Sequence, residues 1–126
     1  MNSKKVLILS IFIILFGALL MESKVIHKFL YPKKYSEYVE KYSKEFNLDE
    51  NIVYSVIKAE SKFNSSAVSK KEAKGLMQIL DITRDWGAEE LNLKNVDIFD
   101  PETNIRLGCW YLSKLYKEFG KLDLVI

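Results

Sequence analysis

The stretch DPETNIRLGCWYLSKLYKEFG, residues 100–120, constrains the fold more than any other part of this chain. It carries its own start and stop. Asp100 is a natural N-cap, Pro101 suits the first helical position, and Glu102 favours the positive end of the helix dipole. Gly120 closes the helix as a C-cap. Between these signals Ile105, Gly108, Leu112, Leu115 and Phe119 line one face, with Tyr111 and Tyr116 beside it. A face of that length must be buried against other elements, and the chain offers helices. Tyr35, Tyr38, Val39, Tyr42 and Phe46 recur at i, i+3, i+4, i+7 and i+11, which predicts a helix over about 34–46 ended by Asn47. Asp49 can cap a second helix, 50–62, and DITRDWGAEELN holds a further one. NSSAVSKKEAKG reads as a polar loop with one turn at Ser69 to Lys74, followed by the short apolar segment GLMQIL. No stretch alternates as a strand would, and no internal repeat occurs. The expected fold class is all-α, a small helical domain with about five short helices around one core.

The N-terminus does not fit into that core. Lys4 and Lys5 precede an apolar run from Val6 to Met21, relieved only by Ser10 and Gly17 and lacking a polar face. Two readings remain open. One is a cleaved signal peptide, with a basic n-region and an apolar h-region. The other, which the absence of a small-x-small cleavage site favours, is an uncleaved signal-anchor. The run is short for a span, and Val25 and Ile26 would extend it. Lys4 and Lys5 would hold the N-terminus inside and send the rest outward. The expected division is a signal-anchor or transmembrane segment over 1–24, a connector over 25–33, and the helical domain over 34–126. Pro32 marks the boundary. Phe29 and Tyr31, beside Lys28, Lys33 and Lys34, suit either a bilayer interface or packing on the domain.

Composition removes several function classes. A net charge of +2 over 126 residues is too small to argue for a nucleic-acid partner. Cys109 is the only cysteine, so no intrachain disulfide is possible, and its setting in GCWYL reads as a small buried hydrophobe. With His27 the only histidine and no CxxC, a structural zinc site has no ligands.

One residue resists a purely structural reading. In NIVYSVIKAESKFN, residues 51–64, the apolar stripe is Ile52, Val53, Val56 and Ile57. Glu60 lies seven residues after Val53, four after Val56 and three after Ile57, which puts a carboxylate on the core face. A bland explanation is a Glu that reaches the surface at its helix end, or one paired with Arg84 or Arg106. The chemical explanation is a general acid, because an apolar pocket disfavours the carboxylate form and keeps a proton available. Such a group can protonate a glycosidic oxygen as the bond breaks.

The residues after Glu60 carry a resemblance. Glu60-Ser61, Phe63-Asn64, Ala67, Ser69 and Gly75-Leu76-Met77-Gln78 look like the signature of the soluble lytic murein transglycosylase (SLT) domain family, relatives of goose-type lysozyme. Asn104-Ile105, Gly108 and Tyr111-Leu112 resemble that family's second stretch, and the likeness runs from about Tyr35 to Ile126. The resemblance implies a lysozyme-like fold and cleavage of the β-1,4 bond between N-acetylmuramic acid and N-acetylglucosamine in peptidoglycan glycan strands. It implies Glu60 as single acid/base, first protonating the leaving oxygen, then taking a proton from the muramoyl C6 hydroxyl as that closes onto C1. The 1,6-anhydro end follows, with the substrate supplying its own nucleophile. No metal or cofactor is implied. Ser69 and Gln78 match positions lining the sugar cleft, and their hydroxyl and amide suit N-acetyl and hydroxyl groups. Ser61 and Met77 belong with this substrate-binding set, although Met77 fits a core better than the cleft. Ser69 can also be the N-cap of a short helix over Lys70 to Lys74, with Glu72 completing a capping box. Lys70, Lys71 and Lys74 read as a solvated basic loop.

The chain departs from the family pattern twice. Leu80 stands where many members carry methionine, a mild change in packing. The family pattern continues beyond the long helix into an Ala-Tyr-Asn-Ala-Gly-type motif lining the cleft, whereas this sequence stops at KLDLVI. The expectation is a domain truncated at its C-terminal end. Competing functions are a hydrolytic muramidase using a second carboxylate among Asp81, Asp85, Asp97 and Asp100, or an inactive glycan-binding protein.

Overall fold

Helix α1, Ser3–Met21, carries its large apolar side chains from Val6 to Leu19 exposed all around its axis. The computed structural model describes residues 3–21 and 33–120; the expected connector and the KLDLVI end lie outside the described residues. Backbone contacts divide the chain into two units, Met1–Lys34 and Tyr35–Ile126. Among the described residues no helix is long and apolar enough to cross a membrane. The apolar run Val6 to Met21 rises about 24 Å at 1.5 Å per residue, against about 30 Å of bilayer hydrocarbon. Val25 and Ile26, the expected extension, are not described.

The second unit is helical, as the periodicity predicts, and among the described residues it holds four α-helices and no strand: α2, Ser36–Glu45; α3, Glu50–Ser61; α4, Asp81–Glu90; and α5, Pro101–Phe119. Only isolated bridges, Val68 with Lys74 and Lys74 with Ile79, interrupt the helical pattern. The predicted caps form. Asp49 accepts from the Asn51 N–H at 2.7 Å, and Asp100 accepts from the Thr103 N–H at 2.9 Å and its hydroxyl at 2.8 Å. Gly120 takes a left-handed φ of 69° and donates to the Tyr116 carbonyl at 2.9 Å.

Helix α5 is the centre of the unit and packs against both α2 and α4. Its expected single stripe is broader in the fold. Leu107, Cys109 and Trp110 are buried along with Ile105, Gly108 and Leu112, as befits a helix with neighbours on several sides. Phe119, placed on the stripe by its spacing, is 49% exposed. The core adds Val39 and Tyr42 from α2, Val53 and Ile57 from α3, and Leu76, Met77, Ile79 and Ile98 from the connections. Each such side chain contributes about 1.5–3 kcal/mol on burial. Gly87 sets the α4–α5 approach, since a Cβ there would strike Leu107 and the Trp110 ring.

Candidate active site

The end of α3 explains where Glu60 goes. Val53, Ile57 and Ser61 are its buried positions, each four residues on. Steps of four overshoot a helical turn by about 40° at 3.6 residues per turn. The buried stripe therefore rotates away from Glu60 toward Ser61, which is 8% exposed and donates its hydroxyl to the Ile57 carbonyl at 3.0 Å. Glu60 is left at the edge, with Val56 one turn before it, and both line a cavity of about 220 Å³. The side chain expected in an apolar interior is thus exposed at a cleft wall. Neither expected arginine pairs with it: Arg84 is held by Asp81 and Asp85, and Arg106 by Glu45.

The far wall comes from α5, where Gly108, Tyr111, Leu112 and Leu115 repeat at i, i+3, i+4 and i+7. The floor and remaining side come from Met77, Gln78, Ile79, Leu80 and Thr83. Gly108 has a specific reason to be glycine, because a Cβ there would lie 2.8 Å from the Met77 Cβ. The chemistry of the lining is one-sided. Among the described residues Glu60 is the only carboxylate on it, surrounded mainly by aliphatic groups and one phenol.

A buried asparagine shapes the floor. Asn104 of α5 is fully buried. Its Oδ1 accepts from the Met77 N–H at 2.8 Å, and its Nδ2 donates to the Lys74 carbonyl at 3.0 Å and the Ile98 carbonyl at 2.8 Å. Lys74 and Ile79 exchange backbone hydrogen bonds at 3.0 and 2.9 Å, closing a tight reversal around Gly75–Gln78. Gly75 sits at φ 77°, where an added Cβ would collide with the Asn104 amide, so only glycine allows this close approach. Gln78, at φ 52°, donates its amide to the Gly75 carbonyl at 2.9 Å and the Ala67 carbonyl at 3.2 Å. Both its N–H groups hold the loop, which leaves its side-chain oxygen as the amide's remaining hydrogen-bonding group.

The expected substrate-binding residues therefore separate. Gln78 and Met77 line the cavity with Glu60, and Met77 is also a core residue at 6% exposure. Ser61 and Ser69 are outside the lining. The Ser69 hydroxyl accepts from Lys71 and Ala73 N–H groups at 3.3 and 3.1 Å, capping a turn. The capping box does not form, because Glu72 lies at φ 63° and no helix follows. Leu80, Thr83 and Leu115 join the lining without having been singled out as cleft residues. Leu115 was within reach of the i+7 spacing on α5; Thr83 needed the fold. Of the four aspartates weighed as a second carboxylate, none lines the cavity. Asp81 binds Lys74 and Arg84, and the Lys74 hydrogen bond holds its carboxyl below the usual range. Asp85 pairs with Arg84, Asp97 accepts from the Phe99 N–H, and Asp100 is the α5 cap.

The transglycosylase SLT domain family matches residues 37–126. The chain belongs to that family. Among curated proteins, it is 33% identical over 95 residues to the membrane-bound lytic murein transglycosylase C of Edwardsiella ictaluri, covering 68% of this chain and 25% of that protein. The namesake from Salmonella arizonae is 35% identical over 88 residues, covering 65% and 24%. Among solved structures, an inactive glutamate-to-glutamine mutant of the lytic transglycosylase Slt from Pseudomonas aeruginosa superposes with a TM-score of 0.67 at 25% identity, covering 74% of this chain and 16% of that one. The 70-kDa soluble lytic transglycosylase in complex with bulgecin A gives 0.65 at 28%, covering 71% and 15%. The SLT chain thus spans about a quarter of the length of the curated relatives it matches. The all-α, lysozyme-like expectation agrees with these neighbours.

Proposed function

We propose that this SLT chain is a peptidoglycan lytic transglycosylase that cleaves the β-1,4 bond between N-acetylmuramic acid and N-acetylglucosamine, with Glu60 as its single acid/base. The observation that carries the reading is that, among the described residues, Glu60 is the only carboxylate lining the cavity of a chain in this family. A lone carboxylate suits a reaction whose nucleophile belongs to the substrate. Glu60 gives its proton to the leaving oxygen, and the oxocarbenium-like centre at C1 is attacked by the muramoyl C6 hydroxyl of the same sugar. Glu60 then accepts that hydroxyl's proton, which balances the cycle and leaves a 1,6-anhydro end. The name of the solved Pseudomonas aeruginosa protein supports the choice of residue type, since a glutamate-to-glutamine change inactivates that relative. A sugar seated against Val56, Leu112 and Leu115 would displace water from Glu60, supplying the apolar surroundings that the exposed carboxylate lacks without it. The Gln78 side-chain oxygen is suited to accept from an N-acetyl N–H. For Ser61 and Ser69 the reading keeps a supporting role behind the cleft, through the α3 end and the loop turn.

The same reading takes 34–126 as the catalytic domain, 25–33 as a connector and 1–24 as a single-pass signal-anchor, with the domain facing the wall. Support comes from the exposed apolar run of α1 from Val6 onward, the lysines in its first turn, and the word "membrane-bound" in the names of the relatives. A hydrolytic muramidase is disfavoured because Asp81, Asp85, Asp97 and Asp100 all have structural partners and stand off the cavity.

The test is a mass spectrum of muropeptides after incubating the full chain, in detergent, with peptidoglycan. Anhydromuramoyl products from the parent and none from a folded Glu60→Gln variant are expected. Reducing-end products would replace the reading with the muramidase, and equal cleavage by Glu60→Gln would remove the catalytic assignment.

A further inference from the structure

The cavity raises a problem of size. At about 220 Å³ it is smaller than the ~300–1,000 Å³ that encloses a drug-sized ligand, yet the proposed substrate is a polymer. Neighbouring sugars must lie on surface beyond the lining. The two tryptophans differ sharply in what they do there. Trp110 is 3% exposed and belongs to the packed interior, whereas Trp86 is 46% exposed. Trp86 is one helical turn along α4 from Thr83, which lines the cavity. It also meets Tyr111, another lining residue, with ring centroids 6.5 Å apart and planes at 79°. The aromatic surface is therefore continuous with the cavity wall.

The exposed indole is also held in place. Its ring meets Trp110 edge to face at 4.8 Å and 80°. Its Nε1 donates to Glu90 at 3.1 Å, and the same carboxylate accepts from Trp110 at 3.3 Å and from Lys114 at 2.6 Å. Lys114 Nζ stands 5.9 Å from the Trp86 ring centre. A large apolar ring that is fixed and yet nearly half in water is pre-organised for a flat, partly apolar ligand. The C–H face of a pyranose ring is such a ligand, and Glu90 and Lys114 beside it suit sugar hydroxyls.

We propose that Trp86 is a stacking platform for a sugar ring of the glycan strand, one position beyond the cavity, and that it sets the preference for longer strands. The proposal rests on the glycan reading of the site. It is tested by binding rather than turnover, in the full-length Glu60→Gln chain, with short and long oligomers of N-acetylglucosamine as probes. Long oligomers are expected to shield Trp86 from acrylamide quenching, and short ones to leave it open. Trp86→Ala should weaken long oligomers roughly two- to tenfold, the usual worth of one aromatic stacking partner, and short ones hardly at all. Trp86→Leu keeps an apolar group against Trp110 without a flat face and should behave like Trp86→Ala; Trp86→Phe should recover most of the affinity. Equal length preference in folded Trp86→Leu and parent, or unshielded Trp86 in a saturated complex, overturns the platform while leaving the glycan reading intact. Absence of binding by any oligomer overturns both.

Discussion

Replacing Asn104 by leucine removes three hydrogen bonds while keeping four side-chain heavy atoms, so no cavity is opened. The structure shows how the cost divides. The Lys74 carbonyl keeps a second donor, the Ile79 N–H at 2.9 Å. The Met77 N–H and the Ile98 carbonyl lose their side-chain partner inside the core. Each buried group left unsatisfied costs about 1–3 kcal/mol, so two give about 4 kcal/mol. That is a large part of the ~5–15 kcal/mol that holds a domain folded. The assay is urea unfolding of the full chain in detergent, followed by tryptophan fluorescence. With a slope of about 1–2 kcal/mol per molar urea for a unit of this size, the midpoint should fall by roughly 2–4 M. Glycan affinity should fall with it, because Met77, Gln78, Ile79 and Leu80 ride on the same reversal. A loss under about 0.5 kcal/mol, the level of an ordinary surface substitution, would refute the claim that Asn104 pins the cavity floor.

Three further outcomes follow from other parts of the chain. Gly108→Ala drives a methyl against the Met77 side chain and should cost about 1–3 kcal/mol by overpacking; an unchanged melting temperature would show that Met77 yields freely. The Cys109 thiol is pushed up to about 12, chiefly by burial and secondarily by the Glu45 charge, so iodoacetamide at pH 8 should label it only as the protein unfolds; rapid labelling of native protein would contradict that burial. Glu102 accepts from Lys41 and Tyr42 at 2.8 and 2.7 Å, and the Lys41 hydrogen bond first, then that of Tyr42, holds its carboxyl below the usual 4.5. A depressed folded value stabilises above the unfolded one and is lost as pH falls through it, so stability should drop below about pH 4.5. In Glu102→Gln that part of the acid dependence should be flatter, and an identical acid profile would remove Glu102 as a contributor.

What the sequence made legible was local. The caps of α3 and α5 involve residues two or three apart, and period alone separates helix from strand. Glu60 was harder, because a stripe drawn from Val53 to Ile57 does not show that the stripe has rotated onto Ser61 by the last turn. The loop around Ser69 failed for a different reason. A capping box requires a helix after it, and the left-handed Glu72 prevents one. Asn104 and the Trp86–Trp110 pair were out of reach. Asn104 acts on Lys74 and Met77, 30 and 27 residues away, and Trp86 matters only once α4 lies against α5. Such contacts are set by packing of whole helices, which no local pattern encodes.

The exposure of Glu60 links these points into a constraint on any reading of the site. An acid that must hold a proton gains nothing from open water, so the chemistry cannot be stored in α3 alone. The walls are apolar and in place: Val56 behind it, Leu112 and Leu115 opposite, and the Met77–Leu80 floor pinned by Asn104. Among the described residues, what remains open is the side on which a sugar would enter. On this reading the substrate completes the low-dielectric environment of its own acid, and interactions that lengthen its residence next to Glu60 act on the reaction as well as on binding. The Trp86 platform makes that link measurable. If the enclosure argument holds, removing Trp86 lowers the cleavage rate on long strands at subsaturating substrate, and high substrate concentration recovers most of it. A rate that stays low at saturation would mean that Trp86 also fixes the geometry of the sugar next to Glu60.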